Sequence, residues 1–185
     1  MYRPAFRLRG KSLGAGETPA PPPSVENIKN YMCLLAIDLG MKAGLAWFGE
    51  DGRLLRCRTV HFPNRTVLKR AMPAILDELP LECAVIEGGG PVADHWKKEF
   101  AKRDLPYIQT CAEEWREDIL WLRERRSGPQ AKEHALQLAM KVLRWSKVTL
   151  TSPLADDAAE AILCGLWAEK RFRIIEEFPN ELRKP

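Results

Sequence analysis

The chain has 185 residues, 45% of them hydrophobic, which is enough for one sizeable core and lies in the usual range of a single domain. No apolar run nears the ~20 residues needed to cross a bilayer, and no short apolar segment with a small-residue cleavage site opens the chain, so a soluble, unexported protein is expected. The net charge of +4 invites a nucleic-acid partner, but +3 of it falls in residues 1–32 and +1 in the remainder, so any such face must come from local clustering.

Residues 1–30 contain "LRGKSLGAGETPAPPPS", rich in proline, glycine and small residues with no apolar period, and are expected to be a disordered basic tail. The first sixteen residues carry arginine and no acid. Organelle transit peptides share that feature, and so does a plain basic tail or a start upstream of Met32. The folded domain is expected over residues 31–175, with 176–185 as a C-terminal tail.

From Met32, "MCLLAIDLG" reads as a strand buried on both faces that ends in a charge and a glycine. "GLAWFGEDGRLLRCRTVHF" gives two extended segments around an Asp-Gly turn, making three antiparallel strands. Val67, Leu68, Ala71, Ile75 and Leu79 share one helix face over residues 66–79, and Pro80 stops that helix. "CAVIEGGGP" is a buried strand ending at Glu87 and opening into a glycine loop. A helix over Asp94–Arg103, a short strand in "LPYIQT", and helices over Glu113–Arg126 and Gln130–Ser146 follow. After an extended stretch at Val148–Thr151, Ser152 and Pro153 supply cap and first-position signals for a last helix from Leu154 to about Arg171. A meander followed by alternating strands and helices predicts an α/β fold with a mixed sheet covered by helices on both faces.

The five cysteines (Cys33, Cys57, Cys83, Cys111 and Cys164) are odd in number and widely spaced, with neither disulfide-framework nor zinc-site spacing. They are expected to be reduced and mostly buried.

The informative residues are acids in apolar surroundings. Asp38 and Glu87 each end a buried strand, where a carboxylate without a cation partner is costly. In "ADDAAEAILCGLWA", Asp157 and Glu160 are three apart and Asp156 and Glu160 four apart, so either pair shares a helix face. The surrounding alanines let that helix approach the sheet. Each feature also has a plainer explanation: Asp156 and Asp157 complement a helix dipole, Asp38 caps a turn with Gly40, and Glu87 is a solvated loop residue. Taken together they favour a metal site. Oxygen ligands without histidine or cysteine select Mg²⁺ or Mn²⁺, and two such ions about 4 Å apart support in-line phosphodiester hydrolysis. Basic clusters at Lys97, Lys98, Lys102 and Arg103, and at Arg123, Arg125, Arg126 and Lys132, are candidates to border the same cleft and bind phosphates. Trp96, Phe100 and Trp115 are candidates for base stacking, although aromatic residues at helical spacing are more often core.

These motifs resemble the RuvC-like Holliday-junction resolvases of the RNase H-like superfamily. "AIDLGMKAGLA" is similar to the family's first motif, "AVIEG" to its second and "DDAAEA" to its third, over nearly the whole chain from Met32. The resemblance implies that Asp38, Glu87, Asp157 and Glu160 are catalytic metal ligands, with Asp156 as the alternative to Asp157. Lys132 resembles a basic residue that the family places near the scissile phosphate. Also implied are Mg²⁺ or Mn²⁺ dependence with two ions, symmetric nicking of four-way DNA junctions, a homodimer matching the junction's two-fold, and a link to recombination or replication machinery. A cytoplasmic setting in a bacterial host, nucleoid-associated or phage-encoded, goes with that reading; organelle targeting is the alternative. Glu160 departs from the family's more usual aspartate, and three glycines follow Glu87 where many members carry an aromatic wedge. An RNA-processing nuclease of the YqgF-like kind keeps the chemistry and changes the substrate, and a catalytically silent nucleic-acid-binding module drops the chemistry. The "IDLG" hairpin also occurs in actin-like ATPases, but those need two such domains.

Overall fold

The computed structural model describes residues 33–120 and 129–182. The elements are β1 (Cys33–Asp38), β2 (Lys42–Phe48), β3 (Leu54–His61), α1 (Arg65–Leu76), β4 (Leu81–Glu87), α2 (Gly90–Ala101), β5 (Tyr107–Thr110), α3 (Ala112–Ile119), α4 (Pro129–Ser146) and α5 (Asp156–Arg171). They form one five-stranded sheet in the order β3-β2-β1-β4-β5. β2 is antiparallel to both neighbours, whereas β4 is parallel to β1 and β5 parallel to β4. The C-terminal ends of β1, β3, β4 and β5 therefore share one edge of the sheet.

β1 is buried on both faces, and its side chains alternate between two cores as a strand requires. Leu34 and Ala36 join Cys83, Val85, Trp115 and Trp167 under α3, α4 and α5. Leu35 and Ile37 join Ala84, Ile86, Trp96 and Phe100 under α1 and α2. The same alternation turns Asp38 and Glu87, the last residues of β1 and β4, towards the α5 face.

α5 is buried along almost its whole length from Ala158 to Glu169, as expected of a helix sandwiched between a sheet and other helices. Two glycine contacts bring it in. A Cβ on Gly44 of β2 would lie 1.8 Å from the Asp157 carbonyl oxygen, and one on Gly165 would lie 2.2 Å from the Phe48 ring. Only hydrogen fits at either point, so the first turn of α5 rests on the strand next to Asp38.

Several element ends differ from expectation. α2 begins at Gly90 with Pro91 in its first turn, so the third glycine belongs to a helix and not to a loop. α5 begins at Asp156 with Ala155 as a cap that makes no side-chain bond, so Ser152 and Pro153 do not start it; Leu154 packs on the core instead. Residues 148–151 form no strand. α3 ends at Ile119, with Leu120 extended, and the rest of the predicted Glu113–Arg126 helix lies outside the described residues. α1 continues through Pro73 and stops at Leu76, and its start is fixed by the Asn64 side chain accepting from the Val67 N–H at 3.0 Å. The segment assigned to a C-terminal tail is not free of the body: Phe178 packs against the core and Leu182 is buried in it. The expected tail at 1–30 lies outside the described residues.

Cys33, Cys83 and Cys164 are buried, Cys57 is half-buried, and Cys111 is exposed. No described helix is long and apolar enough to cross a membrane.

Candidate functional site

Asp38 and Glu87 are direct partners in the parallel β1–β4 register, and Asp38 also pairs with Gly44 on β2. Two carboxylates thus stand side by side at the sheet edge, facing the first turns of α5. Glu87 is buried, and one of its oxygens accepts from the Trp115 indole N–H at 2.7 Å. Among the described residues, no hydrogen bond or ion pair reaches the Asp38 carboxyl.

The electrostatics follow from this crowding. Burial, then the charges of Glu160 and Asp157, push Asp38 up to about 7. Burial and Glu160 likewise push Glu87 up to about 8, with the Trp115 bond opposing and Asp38 adding to the rise. Each carboxylate makes its neighbours harder to ionise, as in other shared-charge acid clusters. A cation placed among them would reverse that cost.

Protein cations already hold the α5 acids. Glu160 receives an Arg116 guanidinium nitrogen at 2.8 and 2.9 Å. Lys42, in register at the start of β2, pairs with Asp157 at 2.5 Å, and Asp157 in turn holds the Lys42 ammonium in its charged form. As folded, therefore, no three acid, histidine or cysteine side chains among the described residues are drawn together into a finished metal cage. The donors are neighbours whose charges are partly answered by an arginine and a lysine.

The choice between Asp156 and Asp157 is a matter of which way each faces. The Asp157 side chain is 21% exposed and its charge acts on Asp38, whereas Asp156 is 61% exposed and pairs with Lys132 at 3.6 Å. Lys132 thus stands beside the start of α5. Its exposed pair with Asp156 contributes at most about 1 kcal/mol and leaves the ammonium exchangeable.

The basic candidates at the end of α2, Lys102 and Arg103, are not brought to the acids. β4 and β5 are parallel, so α2 must run back from the acidic edge, and its last turn lies at the opposite edge. There Lys102 pairs with Glu99, and Arg103 pairs with both Glu99 and Asp77. Lys97, in mid-helix, lies 4.0 Å from Asp94. Arg125 and Arg126 lie outside the described residues. Trp96, Phe100 and Trp115 are fully buried, so none is available to stack on a base.

Sequence reasoning missed Lys42, Arg116 and the hydrogen-bonding role of Trp115. Trp115 and Arg116 sit on a short helix that follows β5, whose end lies beside Glu87 through the Glu87–Thr110 pairing. Their role depends on that strand order, which no local spacing reveals.

Neither a family model nor a curated protein matches this sequence. Solved structures do match. The RuvC of T. thermophilus in complex with a Holliday-junction substrate has a TM-score of 0.54 at 16% identity, over 77% of this chain and 96% of that one. The Holliday junction resolvase of fowlpox virus has a TM-score of 0.59 at 15% identity, over 76% of this chain and 99% of that one. The chain has the fold of the RuvC-like resolvases. At such low identity the likeness establishes the RNase H-like architecture, and the chemistry must be argued from this chain's own residues.

Proposed function

We propose that this RuvC-like chain is a divalent-metal-dependent endonuclease that hydrolyses phosphodiesters of branched DNA, four-way junctions above all. The observation that carries the reading is the Asp38–Glu87 pair, set side by side at the strand ends and facing Asp157 and Glu160 across the first turns of α5. Two acids with raised pKa, two more within electrostatic reach and no histidine or cysteine among them make a donor set that fits Mg²⁺ or Mn²⁺.

Asp38, Glu87, Asp157 and Glu160 would hold the metal, which supplies an activated water and charge stabilisation at the cleaved phosphate. The chain's own groups set the conditions for it. Trp115 fixes the Glu87 carboxylate by donating its indole N–H to one oxygen. Arg116 and Lys42 pair with Glu160 and Asp157 and hold these side chains in place while the site carries no other cation. Lys132, exposed beside Asp156, is positioned to meet a phosphate oxygen at the rim. Junction nicking in symmetric pairs requires two such sites, so a homodimer belongs to the proposal.

The test is Mn²⁺ binding by calorimetry together with cutting of a labelled junction, by wild type, Asp38→Asn and Glu87→Gln. The proposal expects saturable binding and cutting in wild type and at least a 100-fold loss of cutting in both variants, with the fold retained by circular dichroism. Cutting retained in either variant would remove that residue from the site.

A further inference from the structure

The cations on and just after α1 and α2 differ in whether an acid answers them. At the far edge Lys102 and Arg103 are matched by Glu99 and Asp77. On the outer surface of α1 and α2, Arg65, Lys69 and Lys98 are exposed, and among the described residues none of them has a carboxylate within ion-pairing distance.

These residues share one place in the fold. β3 ends at His61, opposite Lys42 and on the same edge as Asp38 and Glu87, so α1 leaves from the acidic edge with Arg65 in its first turn. Lys69 is one turn further on the same stripe. α2 packs beside α1 and also leaves from that edge, carrying His95 and Lys98 one turn apart. At 1.5 Å per residue, the strip from the edge to Lys98 is about 12 Å long.

We propose that Arg65, Lys69 and Lys98, with His95 between them, form a phosphate-binding strip that holds one duplex arm of a DNA substrate against the edge carrying the catalytic acids. The strip rests on the nuclease reading above and adds the surface that orients the substrate. Its length matches a few successive phosphates of one strand, spaced at roughly 3.4 Å of helix rise. His95 reports that the charges converge: besides burial, Lys69, Lys98 and Arg65 all disfavour its protonated form, with Asp94 the opposing acid. That concentration of like charge is costly without an anionic partner, and a DNA backbone supplies one. The acids face the α5 side of the sheet and the strip lies on the α1–α2 side, so the substrate would cross the edge and meet both.

The experiment measures binding of a labelled four-way junction and a linear duplex, without divalent ions, at several salt concentrations. The triple variant Arg65→Ala, Lys69→Ala, Lys98→Ala should lower the slope of log K against log salt by about 2 to 3, near 0.9 per lost phosphate contact. Affinity in moderate salt should fall roughly 10- to 100-fold, with sedimentation unchanged. The control Lys102→Ala, Arg103→Ala should leave the slope as in wild type. An unchanged slope in the triple variant, an equal loss in the control, or an altered oligomeric state would overturn the strip while leaving the nuclease site standing. A wild-type protein that binds neither DNA would overturn both.

Discussion

Raising the pH without divalent ions should loosen this fold, and Mg²⁺ should restore it. Asp38 titrates at about 7 and Glu87 at about 8 in the folded chain, against ordinary values of 3.8 and 4.5. The folded form therefore keeps protons that the unfolded form has released. The stability these groups contribute is fully present below about pH 4 and is lost as pH rises through 7 and 8. One pKa unit is worth about 1.4 kcal/mol, so Glu87, only 8% exposed, accounts for on the order of 5 kcal/mol at pH 9. In a chain of this size that corresponds to a fall in Tm of roughly 10–20 °C. Glu169, fully buried beneath the β2–β3 turn with neither oxygen hydrogen-bonded, titrates in the same sense but away from the acidic edge. Mg²⁺ should thus recover the part due to Asp38 and Glu87 and leave the Glu169 part, which Glu169→Gln removes. The assay is thermal unfolding followed by circular dichroism at pH 5 and pH 8.5, in chelator and then in Mg²⁺. A Glu87→Gln protein whose stability falls with pH as steeply as wild type, or a wild type indifferent to Mg²⁺ at pH 8.5, would refute the reasoning.

Gly44→Ala places a methyl carbon against the Asp157 carbonyl, so α5 must lift from β2; denaturant titration should show a loss of about 1–3 kcal/mol, with cutting lost alongside. Trp115→Phe removes the bond to Glu87, which should cost roughly 1–3 kcal/mol and move the Glu87 titration further up, read by its carboxyl resonance against pH. Arg116→Gln leaves Glu160 without its cation, and the metal-free protein should melt lower and show a steeper fall with pH.

The site was legible where an acid interrupts an apolar run. "CLLAID" and "CAVIE" read as buried strands because each is a short continuous apolar run closed by an acid, and their last residues prove to be register partners. The alanines around Asp157 and Glu160 likewise foretold a helix that comes close to the sheet. What the sequence hid is cross-element contact. The partners of the acids, Lys42 and Arg116, come from a strand and a helix that only the strand order β3-β2-β1-β4-β5 brings beside α5. The end of the basic run "WKKEFAKR", Lys102 and Arg103, misled for a related reason. Clustering along the chain is not clustering in space when a helix runs away from the site, and acids on α1 and α2 answer its last cations. Ser152 and Pro153 carried start signals that the packing of Leu154 overrode.

The most direct test of the central claim is Mg²⁺-dependent cleavage of a labelled four-way DNA junction, beside linear duplex and structured RNA, by wild type and Asp38→Asn. The account predicts paired symmetric nicks in the junction, little cutting of the other substrates, and at least a 100-fold loss in the variant. Cutting of RNA in place of the junction would contradict the substrate, and tight binding with no cutting of any substrate would contradict the catalytic reading of Asp38 and Glu87.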